Sequence, residues 1–144
     1  EWGQNPIPGP MDEYEKSVKR HCGRVGAIEV FLSGPGLENY YEYKTKSKIP
    51  SREIVSLYQK KDSVAGEVMN VYFERIARSF SSFVNILDPD IIVCGGGMSE
   101  IGGIYDEVPK RIIPYIASNF FLTPIVKAAH GSSSGVRGAA HLWN

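Results

Sequence analysis

The sequence is poor in features that would assign it quickly. It carries no charge of either sign in excess, since sixteen lysines and arginines balance sixteen aspartates and glutamates. A nucleic-acid-binding domain needs a basic face to neutralise phosphate, so the composition argues against nucleic acid as a partner. Lys44, Lys46 and Lys48 cluster, but a short charge run of this kind reads as a solvated loop. There are two cysteines, Cys22 and Cys94, too few for a secreted disulfide framework, and the expected compartment is a reducing cytoplasm. No apolar run approaches the roughly 18 residues that a membrane-spanning helix requires. No signal-peptide pattern is present, and the chain opens on Glu1-Trp2-Gly3 rather than Met. Nucleophile elbow, Walker lysine and GxGxxG are all missing, and no Asp, Glu or His cluster has the spacing of a catalytic metal site.

What remains is an ordinary globular composition over 144 residues, enough for one domain or a large part of one. Residues 1–26 are rich in Gly and Pro and show no period, which predicts an extended loop. AIEVFLS (27–33) is too short for its period to separate strand from helix. GPG (34–36) reads as a turn, LENYYEY as the opening of a helix, and KTKSKIP (44–50) as a polar connector. Ser51 is placed to cap a helix reaching Lys60, with Ile54, Val55 and Tyr58 inward.

The strongest pattern lies over 62–87. Asp62 or Ser63 can cap it, and Val64, Val68, Met69, Tyr72, Ile76, Phe80, Phe83, Val84 and Leu87 recur in steps of three and four, forming one core-facing stripe. Pro89 ends it. Ile91 to Cys94 is a continuous apolar run, expected as a strand buried on both faces. A weaker helix follows over 103–118 through Ile104, Val108, Ile112 and Ile116, shifted or kinked by Pro109 and Pro114. PIVKA (124–128) reads as a second strand, HGSSSG as a turn, and GVRGAAHLW as a small-residue helix able to pack closely on a sheet. The order strand, glycine turn, helix, strand, helix indicates an α/β unit, helix-rich with few strands.

Two groups of residues could carry chemistry. Gly95, Gly96 and Gly97 follow a strand, where exposed backbone lets a ligand approach closely, but from the residues alone a plain strand-to-helix turn is the favoured reading. Glu1 and Glu29 are carboxylates, which accept several hydrogen bonds from hydroxyl groups, although Glu29 among Ala27, Ile28, Val30 and Phe31 also fits a surface position. His130 and His141 are isolated and read as structural.

Taken in order, EWGQNP, CGRVGAIE, SGPG, NILDPDIIVCGGGMS and HGSSSGVRGAAHLW resemble the repressor–ORF–kinase (ROK) family, and most closely its fructokinase and mannokinase members. The resemblance implies the C-terminal lobe of an actin-like, ribonuclease-H-type two-lobe sugar kinase over residues 1–144. Within it, 1–26 is a degenerate zinc-loop region, 27–144 is the helical and α/β body, and the N-terminal lobe is not represented. It implies a transferase moving the γ-phosphate of ATP, with Mg²⁺, to a fructose or mannose hydroxyl. The catalytic base belongs to the other lobe, so these residues alone are expected to be inactive.

By the same resemblance, Glu1, Gln4 and Glu29 contact the sugar, and Gly34, Gly95, Gly96 and Gly97 line the adenosine pocket. Zinc-bearing members place ligands at the positions held here by Gln4, Arg20, Cys22 and Ala27. One thiolate cannot sustain a closed zinc site, and His21 lies between ligand positions, so no zinc is expected. Hexose and ATP are the implied partners, with a homodimer compatible and no membrane or nucleic acid. The family also contains sugar-responsive repressors, so an effector-sensing lobe or a stand-alone binding fragment are the alternatives.

Overall fold

The computed structural model describes residues 1–20 and 22–143, the side chains of Ser132 and Trp143 excepted. In chain order it forms α1 (Glu13–Ser17), α2 (Glu29–Leu32), α3 (Gly34–Thr45), α4 (Ser51–Gln59), α5 (Ser63–Leu87), β1 (Ile92–Cys94), α6 (Gly103–Arg111), β2 (Ile125–Lys127) and α7 (Ser134–Ala140), with short 3-10 turns between.

Helix α5 is the axis of the molecule. Asp62 caps it, its carboxylate accepting from the Ala65 N–H at 2.8 Å, which satisfies one of the orphan donors of the first turn. The expected stripe is largely realised: Val68, Met69, Tyr72, Ile76, Phe80 and Val84 are buried, joined by Phe73 and Ala77, whereas Val64 and Leu87 at the ends are exposed. Around α5 pack α2, α3, α4 and α6. The helix stops at Asp88, which turns into the left-handed region at φ 43° ahead of Pro89.

β1 and β2 pair in parallel, with Ile92 opposite Ile125 and Cys94 opposite Lys127; α6 forms the crossover between them. Ile92 and Ile125 point into the core, but Val93 is 58 % exposed and Ile91 51 %. The expectation of a strand buried on both faces therefore fails, because helices cover one face of the two-stranded sheet and the other is open. The terminal helix also departs from expectation. α7 buries no residue, and its principal contacts are with the 3-10 turns at its own ends, since two strands make too narrow a platform to cover it.

Three further local readings are corrected. GPG is the first turn of α3 and not a free turn: Ser33 Oγ accepts from the Gly36 N–H. A side-chain carbon at Gly36 would lie 2.4 Å from the Val30 carbonyl oxygen, so the tight α2–α3 corner requires glycine. Ser51 is the first helical residue of α4, and Pro50 occupies the cap position. The described residues of the 1–26 segment are more ordered than their composition suggests. Asp12 and Glu15 form a reciprocal capping box at α1, and isolated antiparallel bridges join Pro6 to Ala27 and Lys19 to Val25.

Buried charge ties this segment to α5. Arg75 Nε donates to Glu15 at 2.8 Å and Arg78 Nη1 donates to the same carboxylate at 3.1 Å, with the Glu15 side chain 1 % exposed. The Arg75 guanidinium lies against the rings of Tyr14, Phe31 and Tyr40, 4.2 Å from the last, which compensates part of its lost hydration.

Candidate functional site

β1 delivers the three glycines at its carboxyl end, the edge at which open α/β sheets bind ligands. Gly96 adopts φ +80°, a conformation that glycine takes without strain. The Ser99 hydroxyl folds back and donates to the Gly96 carbonyl at 2.7 Å, and Tyr105 Oη donates to the Ser99 carbonyl at 2.6 Å. The turn is thus held from beneath. Its upper side is open: Gly95, Gly96 and Gly97 are exposed, and a side-chain carbon at Gly96 or Gly97 would meet no heavy atom within 4 Å. Packing does not demand glycine at position 97, whereas close approach of a ligand to the backbone would.

Gly34 stands beside this turn. A side-chain carbon there would sit 3.5 Å from Met98 Sδ and 3.4 Å from Ser51 Oγ. The start of α3 and the glycine turn after β1, far apart in sequence, are therefore neighbours. Below them an apolar cavity of about 340 Å³ opens between Trp2, Leu32, Phe83, Gly95 and Met98. Trp2 is fixed there by its indole N–H donating to Ser82 Oγ at 3.0 Å and by edge contact with Phe83. Glu1, Gln4, Glu29, Gly34, Gly96 and Gly97 lie outside the wall of that cavity. What it unites is Trp2, beside Glu1 in the chain, Leu32 on the helix of Glu29, and Gly95.

Glu29 opens α2 and faces the 3-10 turn Trp2–Gln4. Gly3 makes that approach feasible, since a side-chain carbon at position 3 would come within 3.2 Å of Glu29 Cβ. Both oxygens of the carboxylate are engaged. Gln4 Nε2 donates to Oε2 at 2.8 Å, and Arg20 Nη2 pairs with Oε1 at 2.7 Å. Arg20 Nη1 in turn donates to Gln4 Oε1. Gln4, Arg20 and Glu29 thus close a ring of three side chains, with Arg20 11 % exposed and Glu29 42 %. Glu1 is exposed, and its carbonyl accepts from the Gln4 N–H at 3.1 Å. The sequence drew attention to Gln4 and Glu29 separately; it treated Arg20 only as a missing ligand, and nothing in its spacing announced the ion pair.

The four positions of the zinc loop do not form a donor set. Ala27 is buried in the core, Arg20 is a cation already paired with Glu29, and His21 lies outside the described residues. Cys22 is exposed, and its thiol is held below the usual range, chiefly by the Arg24 backbone N–H and then by the charges of Arg20 and Arg24. Among the described residues no three of His, Cys, Asp and Glu converge where a metal ion could sit. The described residues at these four positions, an amide, a paired guanidinium, one thiol and a buried methyl, therefore do not fit a zinc ion.

The sequence profile of the ROK family matches residues 1–144. The chain is 40 % identical over 121 residues to the N-acetyl-D-glucosamine kinase of Vibrio atlanticus, an alignment covering 84 % of this chain and 40 % of that protein. The chain thus spans well under half the length of this relative. Among solved structures it is similar to the ROK hexokinase of Thermus thermophilus, with a TM-score of 0.78 at 23 % identity over 96 % of this chain and 45 % of that one. It is also similar to a ROK glucokinase from Streptomyces griseus, solved in complex with glucose and AMPPNP, with a TM-score of 0.82 at 19 % identity over 98 % and 50 %. The helix-rich body around one parallel strand pair has the actin-like fold of these sugar kinases, and the chain belongs to the ROK family.

Proposed function

We propose that residues 1–144 are the C-terminal lobe of an ATP-dependent hexose kinase, contributing the sugar-gripping corner and one wall of the adenosine pocket. Glu29, oriented by Gln4, accepts hydrogen bonds from sugar hydroxyls, and Glu1 supplies a second carboxylate. Each carboxylate oxygen offers two acceptor positions, and the ring with Arg20 and Gln4 uses one on each, leaving the others for a ligand. The open backbone at Gly95, Gly96 and Gly97, with Gly34 beside it, receives the nucleoside. The base that takes the hydroxyl proton and most contacts to the transferred phosphate come from outside this stretch, because phosphoryl transfer depends on groups converging from both sides of a closing cleft.

The observation that carries this reading is the meeting of Gly34 with Met98. It sets the start of α3, directly downstream of the Glu29 helix, against the glycine turn after β1. Glu29 itself lines a separate hollow with Ser33 and Gly36, so what links the acidic corner to the glycine turn is the short run from Glu29 through Leu32 to Gly34. N-acetylglucosamine is the first sugar to test, in keeping with the name of the relative at 40 % identity. Fructose and mannose, favoured by the motif resemblance, are the competitors.

The test is a nuclear magnetic resonance titration of the ¹⁵N-labelled chain with each sugar and with ATP. Sugar is expected to shift the amides around Gln4 and Glu29, and Glu29→Gln to weaken sugar binding by about tenfold or more while leaving it measurable at high sugar concentration. ATP is expected to shift Gly95–Gly97, and Gly97→Ala to block it while changing folding stability by less than about 0.5 kcal/mol, since no packing opposes the added methyl. Sugar affinity unchanged by Glu29→Gln, or ATP shifts that avoid the glycine turn, would refute the assignment.

A further inference from the structure

The ring at the mouth of the site contains one residue that the proposed function does not use. Arg20 sits on the hairpin closed by the Lys19–Val25 bridge; its N–H donates to the Arg24 carbonyl and its own carbonyl accepts from Gly23, both at 2.9 Å. From this anchored backbone the guanidinium reaches Gln4 with Nη1 and Glu29 with Nη2. Its Nε is sealed from solvent and has no hydrogen-bond partner among the described residues, and the contacts to Gln4 and Glu29 are the ones that hold the fork.

We propose that Arg20 is a positioning residue, a guanidinium cross-link that fixes the Glu29 carboxylate for sugar hydroxyls by tying it to Gln4 and to the backbone beside the Lys19–Val25 bridge. The inference rests on Glu29 being the sugar acceptor. A glutamate side chain free in solution loses several rotors when it grips a ligand, and a partner that has already ordered it removes that cost from binding. A planar fork serves two acceptors side by side in one fixed geometry. A lysine ammonium is a single point of charge on a flexible stem and does not hold both in one plane. The cross-link is a side chain and needs no metal, so chelators leave it intact.

Sugar affinity is measured by the same titration in the unsubstituted chain, Arg20→Lys, Arg20→Gln, Glu29→Gln and the Arg20→Gln/Glu29→Gln pair, with amide spectra confirming the fold of each. Arg20→Gln and Arg20→Lys are expected to weaken binding by about tenfold or more, and EDTA to change nothing. In the Glu29→Gln background, adding Arg20→Gln is expected to cost less than about twofold, because Arg20 acts through Glu29. Equal affinity in Arg20→Lys or Arg20→Gln, equal losses in both backgrounds, or loss of binding with EDTA would each overturn the inference while leaving the sugar reading standing. If the unsubstituted chain binds none of the three sugars, the sugar reading itself falls and takes the inference with it.

Discussion

Glu15→Gln isolates the buried charge that pins the N-terminal segment to the central helix. The Glu15 carboxylate accepts from Arg75 Nε at 2.8 Å, from Arg78 Nη1 at 3.1 Å and from the Asp12 N–H at 3.3 Å. Glutamine preserves its shape and one acceptor oxygen, so packing and the capping box survive. It removes the one fully buried negative charge that faces the two guanidiniums and turns an NH₂ group toward their donors. Removing one partner from a buried ion pair costs about 3–5 kcal/mol.

Two features move the expectation to the low end of that range. Arg75 keeps Asp12 at 3.3 Å and the face of Tyr40 at 4.2 Å. Arg78 keeps the carbonyls of Pro8 at 2.9 Å and Pro10 at 3.3 Å. A loss of about 3 kcal/mol follows, a large share of a typical domain's 5–15 kcal/mol. Urea unfolding followed by circular dichroism would read it as a lower midpoint with an unchanged slope. Asp12→Asn is the control: its side chain is 50 % exposed and asparagine caps as well as aspartate, so its cost should stay below about 1 kcal/mol. A Glu15→Gln variant within about 1 kcal/mol of the unsubstituted chain, at equal slope, would show that Asp12, the carbonyls and the rings satisfy the arginines without Glu15.

The glycine contacts rank two further substitutions. Gly36→Ala drives a methyl to 2.4 Å from the Val30 backbone carbonyl, while Gly103→Ala meets the Phe73 ring at 2.5 Å; the ring is a side chain that can shift, so Gly103→Ala should cost about 1–3 kcal/mol and Gly36→Ala more, a ranking that thermal unfolding midpoints would check. The two thiols should also separate by pH. Cys22 is exposed and held below the usual range by the Arg24 N–H and nearby arginine charge, whereas burial raises the half-buried Cys94. The thiolate is the reacting form, so iodoacetamide should label Cys22 first and at lower pH, with mass spectrometry giving the order; earlier labelling of Cys94 would contradict the local geometry.

The parts of the fold legible in the sequence are those whose cause is local. The stripe over 62–87 with its Asp62 cap describes α5 closely because a 25-residue amphipathic helix declares both its period and its ends. IIVC and PIVKA were found because short apolar runs bounded by Gly and Pro leave few alternatives. The α1 capping box is also written in the sequence, as Asp12 followed three residues later by Glu15, but it lies in a Gly- and Pro-rich segment whose composition predicts only a loop. The exposure of Val93 and of α7 had no local signal, since it depends on how many strands share the sheet.

The site divides along the same line. Gln4, Glu29 and the glycines were reached through motif resemblance, which records which positions matter but not what replaces a lost group. Arg20 shows the difference. In a linear reading it was a vacancy, a cation where the resemblance implies a ligand. In three dimensions the hairpin carries it across to Glu29, 2.7 Å away, and its positive charge meets a carboxylate that an extra donor-poor residue there would have left with Gln4 alone. A positive group at the hairpin, a carboxylate on α2 and an amide between them form one electrostatic unit whose members lie on three separate segments. Substituting any one should therefore change the other two, a dependence that no inspection of single positions would register.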